Sequence, residues 1–172
     1  MTRSGYNQQQ IRTGDSHFVS FAVSRPQGKV TVTFMEKNMP KVKQINHVAV
    51  VVQDMQKALL FWRDALGMEM HELREVPAEK SQVAFLPLPG SEVELVRPTT
   101  EDSGIAKYLA KRGPGMHHLC LEVDDIEGML SELKSKGIRL INEEPRTAAD
   151  GKRYAFIHPE STSGVLVELY QI

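Results

Sequence analysis

Apolar residues recur along the chain with two periods, and the switches between them mark out its elements. Gln44-Ile45-Asn46-His47-Val48-Ala49-Val50-Val51-Val52 is a β-branched run that predicts one buried strand. Asp54 is placed to cap a helix in which Ala58, Leu59, Phe61, Trp62, Ala65 and Leu66 return at helical spacing, with Gly67 as its stop. Strands are predicted next over Met68–Arg74, Gln82–Leu86 and Glu92–Arg97, divided by turns that hold Pro and Gly. A linker starting at Pro98 carries a short helix over Gly104–Arg112 and stops at Gly113-Pro114-Gly115. The order then repeats. Met116–Val123 predicts a strand, and Asp125 caps a helix with Ile126, Met129, Leu130 and Leu133 on its apolar face and Gly137 at its end. Strands follow over Ile138–Asn142, Arg153–His158 and Val165–Tyr170.

Laying one half on the other shows an internal repeat. His118 follows His47, and Asp125 follows Asp54, by 71 positions, while Gly67 and Gly137 are 70 apart. Val93-Glu94-Leu95-Val96 returns as Val167-Glu168-Leu169-Tyr170. The expected fold is α+β, a tandem of βαβββ modules in a domain over 41–172, with module 1 at about 44–97, a linker at 98–114 and module 2 at about 115–172. Residues 1–40 stand apart, since Arg3, Arg12, Arg25 and Lys29 face a single acid, Asp15, before residue 35. They fit a transit peptide over 1–34, an upstream translation start with Met35 or Met39 as the natural one, or a hairpin of 17–23 and 29–34 turning at Arg25-Pro26-Gln27-Gly28.

Composition narrows the partners. The 172 residues are 41% hydrophobic and 25% charged, and 21 basic against 22 acidic side chains leave a net charge of -1. That balance gives no electrostatic reason to expect nucleic acid or an anionic membrane as partner. No apolar run approaches the roughly 20 residues of a membrane span, so a soluble protein is expected. The single cysteine, Cys120, rules out an intrachain disulfide and a Cys-rich zinc site, in keeping with a reducing compartment. The ligands of any metal are then His, Asp or Glu.

Side chains alternate across a strand, so His47, Ala49 and Val51 share one face while Val48, Val50 and Val52 take the face that a helix can cover. The repeat selects His118 as the partner of His47 and leaves His117 pointing to the other side. Glu94 and Glu168 each stand in the middle of an apolar strand, where a carboxylate needs a compensating partner. Singly, any of the four would read as an ordinary satisfied or solvated side chain. Repeated at equivalent positions, His47, Glu94, His118 and Glu168 make a set of N and O ligands that converges between the modules. Such a set suits a six-coordinate divalent ion such as Co2+, Mn2+, Ni2+ or Zn2+, with two positions left for water or substrate oxygens. His17 falls in the N-terminal segment, His71 on an exposed strand, and His158 either at the cavity or in a hydrogen bond to its own turn.

The tandem arrangement with ligands at these positions resembles the vicinal oxygen chelate superfamily, the glyoxalase-like fold. From about Lys43 to Gln171 the chain closely resembles the methylmalonyl-CoA epimerases within it. The resemblance lies in Ile45-Asn46-His47-Val48-Ala49, Val93-Glu94-Leu95 with Pro98, Gly115-Met116-His117-His118-Leu119-Cys120-Leu121-Glu122-Val123, Phe156-Ile157-His158-Pro159 and Gly164-Val165-Leu166-Val167-Glu168-Leu169. It implies exchange of (2R)- and (2S)-methylmalonyl-CoA by proton transfer at C2 through a metal-stabilised enolate, with Co2+ the first expected ion and Glu168 a proton-transferring carboxylate beside it. Epimerases are thought to take their second base from a glutamate on the third strand of the first module. Gln82-Val83-Ala84-Phe85-Leu86 contains no acid, which leaves Glu94, Glu79 or a metal-bound water for that role.

The implied partner is an acyl-CoA, yet no Gly-rich phosphate loop is present. Lys107, Lys111 and Arg112, or Arg146, Lys152 and Arg153, are the basic residues open to its phosphates. A homodimer in the cytoplasm is expected, or in the mitochondrial matrix if residues 1–34 are a transit peptide. The competing activities are a glyoxalase I-like isomerase of a glutathione hemithioacetal, an Fe2+ extradiol dioxygenase, which Glu94 as a fourth ligand disfavours, and a metal-free module that binds a small molecule.

Overall fold

The first module runs β1 (Val42–Val51), α1 (Met55–Leu59), β2 (Glu72–Val76), β3 (Ser81–Leu88) and β4 (Ser91–Pro98). The linker carries α2 (Gly104–Arg112), and the second module runs β5 (Gly115–Val123), α3 (Ile126–Ser135), β6 (Arg146–Thr147), β7 (Arg153–Ile157) and β8 (Leu166–Gln171). This computed structural model describes residues 39–148 and 150–172; the segment over 1–38, where the transit-peptide, start-site and hairpin expectations fall, lies outside the described residues.

Among the described residues, the eight strands form one sheet in the order β2-β3-β4-β1-β5-β8-β7-β6. At its centre β1 and β5 pair antiparallel, and each pairs parallel with the last strand of its own module, β1 with β4 and β5 with β8. The two halves are thus arranged alike about the β1–β5 seam, as the tandem βαβββ repeat predicts. Register makes the likeness close. Ala49 stands opposite Glu94 on β4, and Cys120 stands opposite Glu168 on β8.

One face of each half is covered by its helix. Asp54 and Asp125 accept hydrogen bonds from Lys57 N and Gly128 N, satisfying free backbone donors at the two helix starts. On α1, Met55 and Leu59 pack with Val52, Ala84, Leu86, Val93 and Leu95. On α3, Ile126 and Leu130 pack with Val123, Ala155, Ile157 and Leu169. Burying each large side chain contributes about 1.5–3 kcal/mol, so each module carries its own core. The other face is left for chemistry, floored by Ala49, Val83 and Val96.

Three elements depart from the sequence expectation. The first helix widens after Leu59 into a π-helical turn over Leu60–Ala65, where Leu66 N donates to Phe61 O at 2.9 Å, before Gly67 ends it at φ 71°. The strand expected at Met68–Arg74 is paired only over Glu72–Val76, because Met68 and Met70 turn into the core beneath α1 instead of entering the ladder. The strand expected at Ile138–Asn142 reduces to a single bridge between Leu140 and Ile157. The buried Asn142 side chain accepts the Phe156 backbone N–H at 2.9 Å, removing a donor that a continuous ladder would use, and the edge of the sheet is formed by Arg146–Thr147.

Candidate metal centre

Across the β1–β5 seam the register is broken three times, first at Lys43 on β1 and then twice beside the histidines of the repeat. It passes from Ile45 opposite Leu121 to His47 opposite Cys120, leaving Asn46 as an extra residue on β1. It then passes from Ala49 opposite His118 to Val50 opposite Met116, leaving His117 as an extra residue on β5. Each of the latter two is a β-bulge one residue before a histidine of the repeat, and bulges bend the strand and re-aim its side chains. His117, expected on the far side by alternation, is instead brought beside His118, their Nδ1 atoms 2.8 Å apart.

Three of the four expected ligands converge. His47 Nε2 and His118 Nε2 are 3.0 Å apart, and Glu168 Oε2 lies 3.3 Å from the first and 2.9 Å from the second. His47, His118 and Glu168 are all buried, and one ligand atom from each lies within 4.8 Å of the others. Glu94 comes to the opposite edge of the His47 ring, with Oε1 at 3.6 Å from Nδ1. It borders the cluster and is not one of the three converging groups.

The charges around the cluster are pushed apart. Burial opposes ionisation of Glu168, but hydrogen bonds and charge from His118 and His47 outweigh it and hold its carboxyl at about 2. Burial pushes the Glu94 carboxyl up, against the pull of His47 and His118. His47 is lowered by burial, and the Glu168 hydrogen bond with the charges of Glu94 and Glu168 reverses this to a net rise. His117 is depressed to about 4, chiefly by burial and then by His118. A buried carboxylate oxygen facing two imidazole nitrogens at these distances is stable only with a proton or a cation among them. Nitrogen and oxygen donors in that cluster fit a divalent transition ion.

The remaining candidates fall into place around it. Glu79 ends the Pro77–Glu79 turn between β2 and β3 and is solvent-exposed. Its carboxyl is raised first by desolvation against the surrounding protein and then by the charge of Glu168, with His118 and His47 acting the other way. His71 is exposed, and His158 Nδ1 accepts the Glu160 N–H in its own turn at 3.1 Å. Among the basic residues, Arg153 pairs with Glu127 and Lys152 with Asp150. Arg112 lies over the Tyr108 ring and lines a cavity of about 240 Å3 together with Met116, His117, Val165 and Leu166. Asn46 and His117 carry functional geometry that the sequence reading missed. The available signal was their spacing: both are polar, both precede a repeated histidine, and they too are 71 positions apart.

The profile of the Glyoxalase/Bleomycin resistance protein/Dioxygenase superfamily matches residues 46–156. The mitochondrial methylmalonyl-CoA epimerase of Mus musculus is 42% identical over 132 residues, 76% of this chain and 74% of the mouse protein. The crystal structure of methylmalonyl-CoA epimerase from Mycobacterium tuberculosis superimposes with a TM-score of 0.69 at 36% identity, covering 76% of this chain and 88% of that one. A methylmalonyl-CoA epimerase solved in complex with methylmalonyl-CoA and NH4+ gives 0.68 at 31% identity, over 76% of this chain and 95% of that one. By sequence and fold together, the chain belongs to the methylmalonyl-CoA epimerase family of the glyoxalase superfamily.

Proposed function

We propose that this chain is a metal-dependent epimerase that interconverts (2R)- and (2S)-methylmalonyl-CoA by moving the proton on C2. The observation that carries it is the buried convergence of His47, His118 and Glu168 in a member of this family. His47, His118, Glu168 and Glu94 are the residues to hold a divalent ion, with Co2+ the first choice. Bound there, such an ion supplies Lewis-acid stabilisation of negative charge developing on the substrate oxygens.

The protein's own part is to move a proton between the two faces of C2. Glu168, ionised at neutral pH, takes the proton from one face; the C2–H electron pair moves toward the thioester carbonyl. A carboxylic acid on the other face returns a proton to C2, and the reverse reaction exchanges the two roles. Glu79 is our choice for that second group. Its raised carboxyl suits a proton donor, and its exposure lets it exchange with water. It lies two residues before β3, the strand without an acid, and Lys80, turned to φ 51°, ties the turn to the linker through its ion pair with Asp102. Glu94, beside Nδ1 at the far edge of the His47 ring, would have to swing toward the cluster to complete the ligand set, and we assign it no proton transfer.

The cavity beside His117 is proposed to take part of the acyl-CoA, with Arg112 as a phosphate partner. No helix among the described residues is long and apolar enough to cross a membrane. We infer a homodimer in the cytoplasm, with the mitochondrial matrix as the location if residues 1–34 direct import; sedimentation and an import assay test the two points. The activity is tested by following (2S)-methylmalonyl-CoA and the glutathione hemithioacetal of methylglyoxal in parallel. Inversion of the first without turnover of the second supports the epimerase; the opposite pattern replaces it with a glyoxalase-like isomerase.

A further inference from the structure

We infer that the paired β-bulges at Asn46 and His117 are a matched device that fixes the two metal-ligating imidazoles, each bulged residue accepting a hydrogen bond from Nδ1–H of the histidine after it so that Nε2 is presented to the site. The inference rests on His47 and His118 being ligands through Nε2. Two independent halves of the chain carry it. On β1 Asn46 is left out of register directly before His47, and its Oδ1 lies 3.0 Å from His47 Nδ1. An amide oxygen can only accept, so His47 donates from Nδ1 and its Nε2 is left with the lone pair. On β5 the residue left out is His117, and its Nδ1 lies 2.8 Å from His118 Nδ1. With His118 Nε2 facing the cluster, the same logic makes His118 the donor at Nδ1 and His117 the acceptor.

Each acceptor is held from behind. Asn46 is tied to β4 by Ser91 Oγ, which donates to its backbone oxygen at 3.3 Å, and its β1 neighbours Lys43 and Gln44 both bond the buried Glu122 of β5, Gln44 Nε2 at 3.0 Å. His117 meets the Tyr108 ring edge to face, with centroids 4.7 Å apart, and Tyr108 OH donates to Met116 O at 2.6 Å. Without the bulges, period-two alternation would send Asn46 and His117 to the helix-covered face, away from the imidazoles they orient. Partners of this kind set the tautomer and ring angle of a ligating histidine, and losing one weakens metal binding by about 10–100-fold.

Asn46 and His117 are therefore positioning residues, and a site-resolved measurement tests them. The full chain, labelled with 15N-histidine, is loaded with Zn2+ and its Nδ1–H resonances are followed by proton exchange, while Zn2+ affinity is measured by competition with a chelator. Wild type is expected to show two exchange-protected Nδ1–H resonances. Asn46→Ala should lose protection at His47 alone and His117→Phe at His118 alone, each with about 10–100-fold weaker Zn2+ binding. Asn46→Asp and His117→Asn, which restore an acceptor, should recover both readouts. Wild-type protein that binds Zn2+ but protects neither Nδ1–H overturns the inference, even if neither variant folds. So do folded variants with unchanged protection and affinity, or variants that lose both resonances together. Wild-type protein that binds no Zn2+ overturns the ligand assignment itself.

Discussion

His47 and His118, 71 positions apart in the chain, meet Nε2 to Nε2 at 3.0 Å across the β1–β5 seam. They stand diagonally, His47 opposite Cys120 and His118 opposite Ala49, so the pseudo-two-fold axis of the repeat passes between them. The short distance is set by sheet geometry: diagonal neighbours on one face lie within reach of long side chains, and both rings lean into the same gap. The cluster therefore depends on both modules, each supplying one of its two histidines.

Replacing His118 by Ala should abolish the metal-dependent reaction, by about 10²-fold or more, with the fold retained because the side chain faces the site and not a helix-covered core. Metal content and turnover of the purified variant check this. A His118→Ala protein that keeps both metal and wild-type turnover contradicts the assignment.

Glu168→Gln and Glu79→Gln should each cut turnover by about 10²–10⁴-fold, the usual contribution of a positioned proton-transfer group. They should differ in which isomer still exchanges its C2 proton with solvent, since the two groups serve opposite faces. Separate exchange measurements on (2R)- and (2S)-methylmalonyl-CoA read this directly, and identical behaviour of the two variants would remove Glu79 from the mechanism.

In metal-free protein the cluster makes stability depend on pH with two opposite signs. The Glu168 carboxyl, near 2 in the fold against its ordinary 4.5, stabilises the fold fully above 4.5 and loses that contribution as pH falls toward 2. His47, raised above its ordinary 6.5, stabilises fully below 6.5 and loses that contribution as pH rises through its folded value. Urea unfolding across this range should show a smaller acid-side loss in Glu168→Gln than in wild type. Parallel curves would show that the Glu168 contacts add nothing to stability.

Much of this was readable in the chain before its fold. The repeat exposed both histidines and both glutamates because a duplicated module keeps equivalent positions equivalent, and Ala49–Glu94 and Cys120–Glu168 do share register. Alternation failed at His117, since a bulge adds one residue to a strand without changing its apolar pattern, and nothing in Met116-His117-His118 distinguishes the two faces. The β6 strand was misplaced because Ile138 and Leu140 are apolar for packing on α3, while the ladder bonds go to Arg146–Thr147. Glu79 lies outside the predicted strand, at the end of the Pro77–Glu79 turn.

Each module should lose stability independently. Leu59→Ala and Leu130→Ala, in cores that share no residue, are each expected to cost about 2–5 kcal/mol. The double variant should equal their sum within about 0.5 kcal/mol. Denaturant titration checks this, and a larger coupling would mean that the two cores act as one.

Cys120 lies fully buried under the cluster, and burial, followed by the charges of Glu168 and Glu94, pushes its thiol far up. A thiol reagent should leave the native protein unlabelled and label one group after unfolding. Stoichiometric labelling of the native protein would show that the floor of the site opens.

The most direct test of the epimerase itself is deuterium incorporation at C2 of methylmalonyl-CoA in heavy water, comparing chelator-treated protein with the same protein after Co2+ is restored. Rapid exchange with inversion only in the Co2+-loaded sample is the predicted result. Exchange at the spontaneous rate in protein shown to carry Co2+ would contradict it.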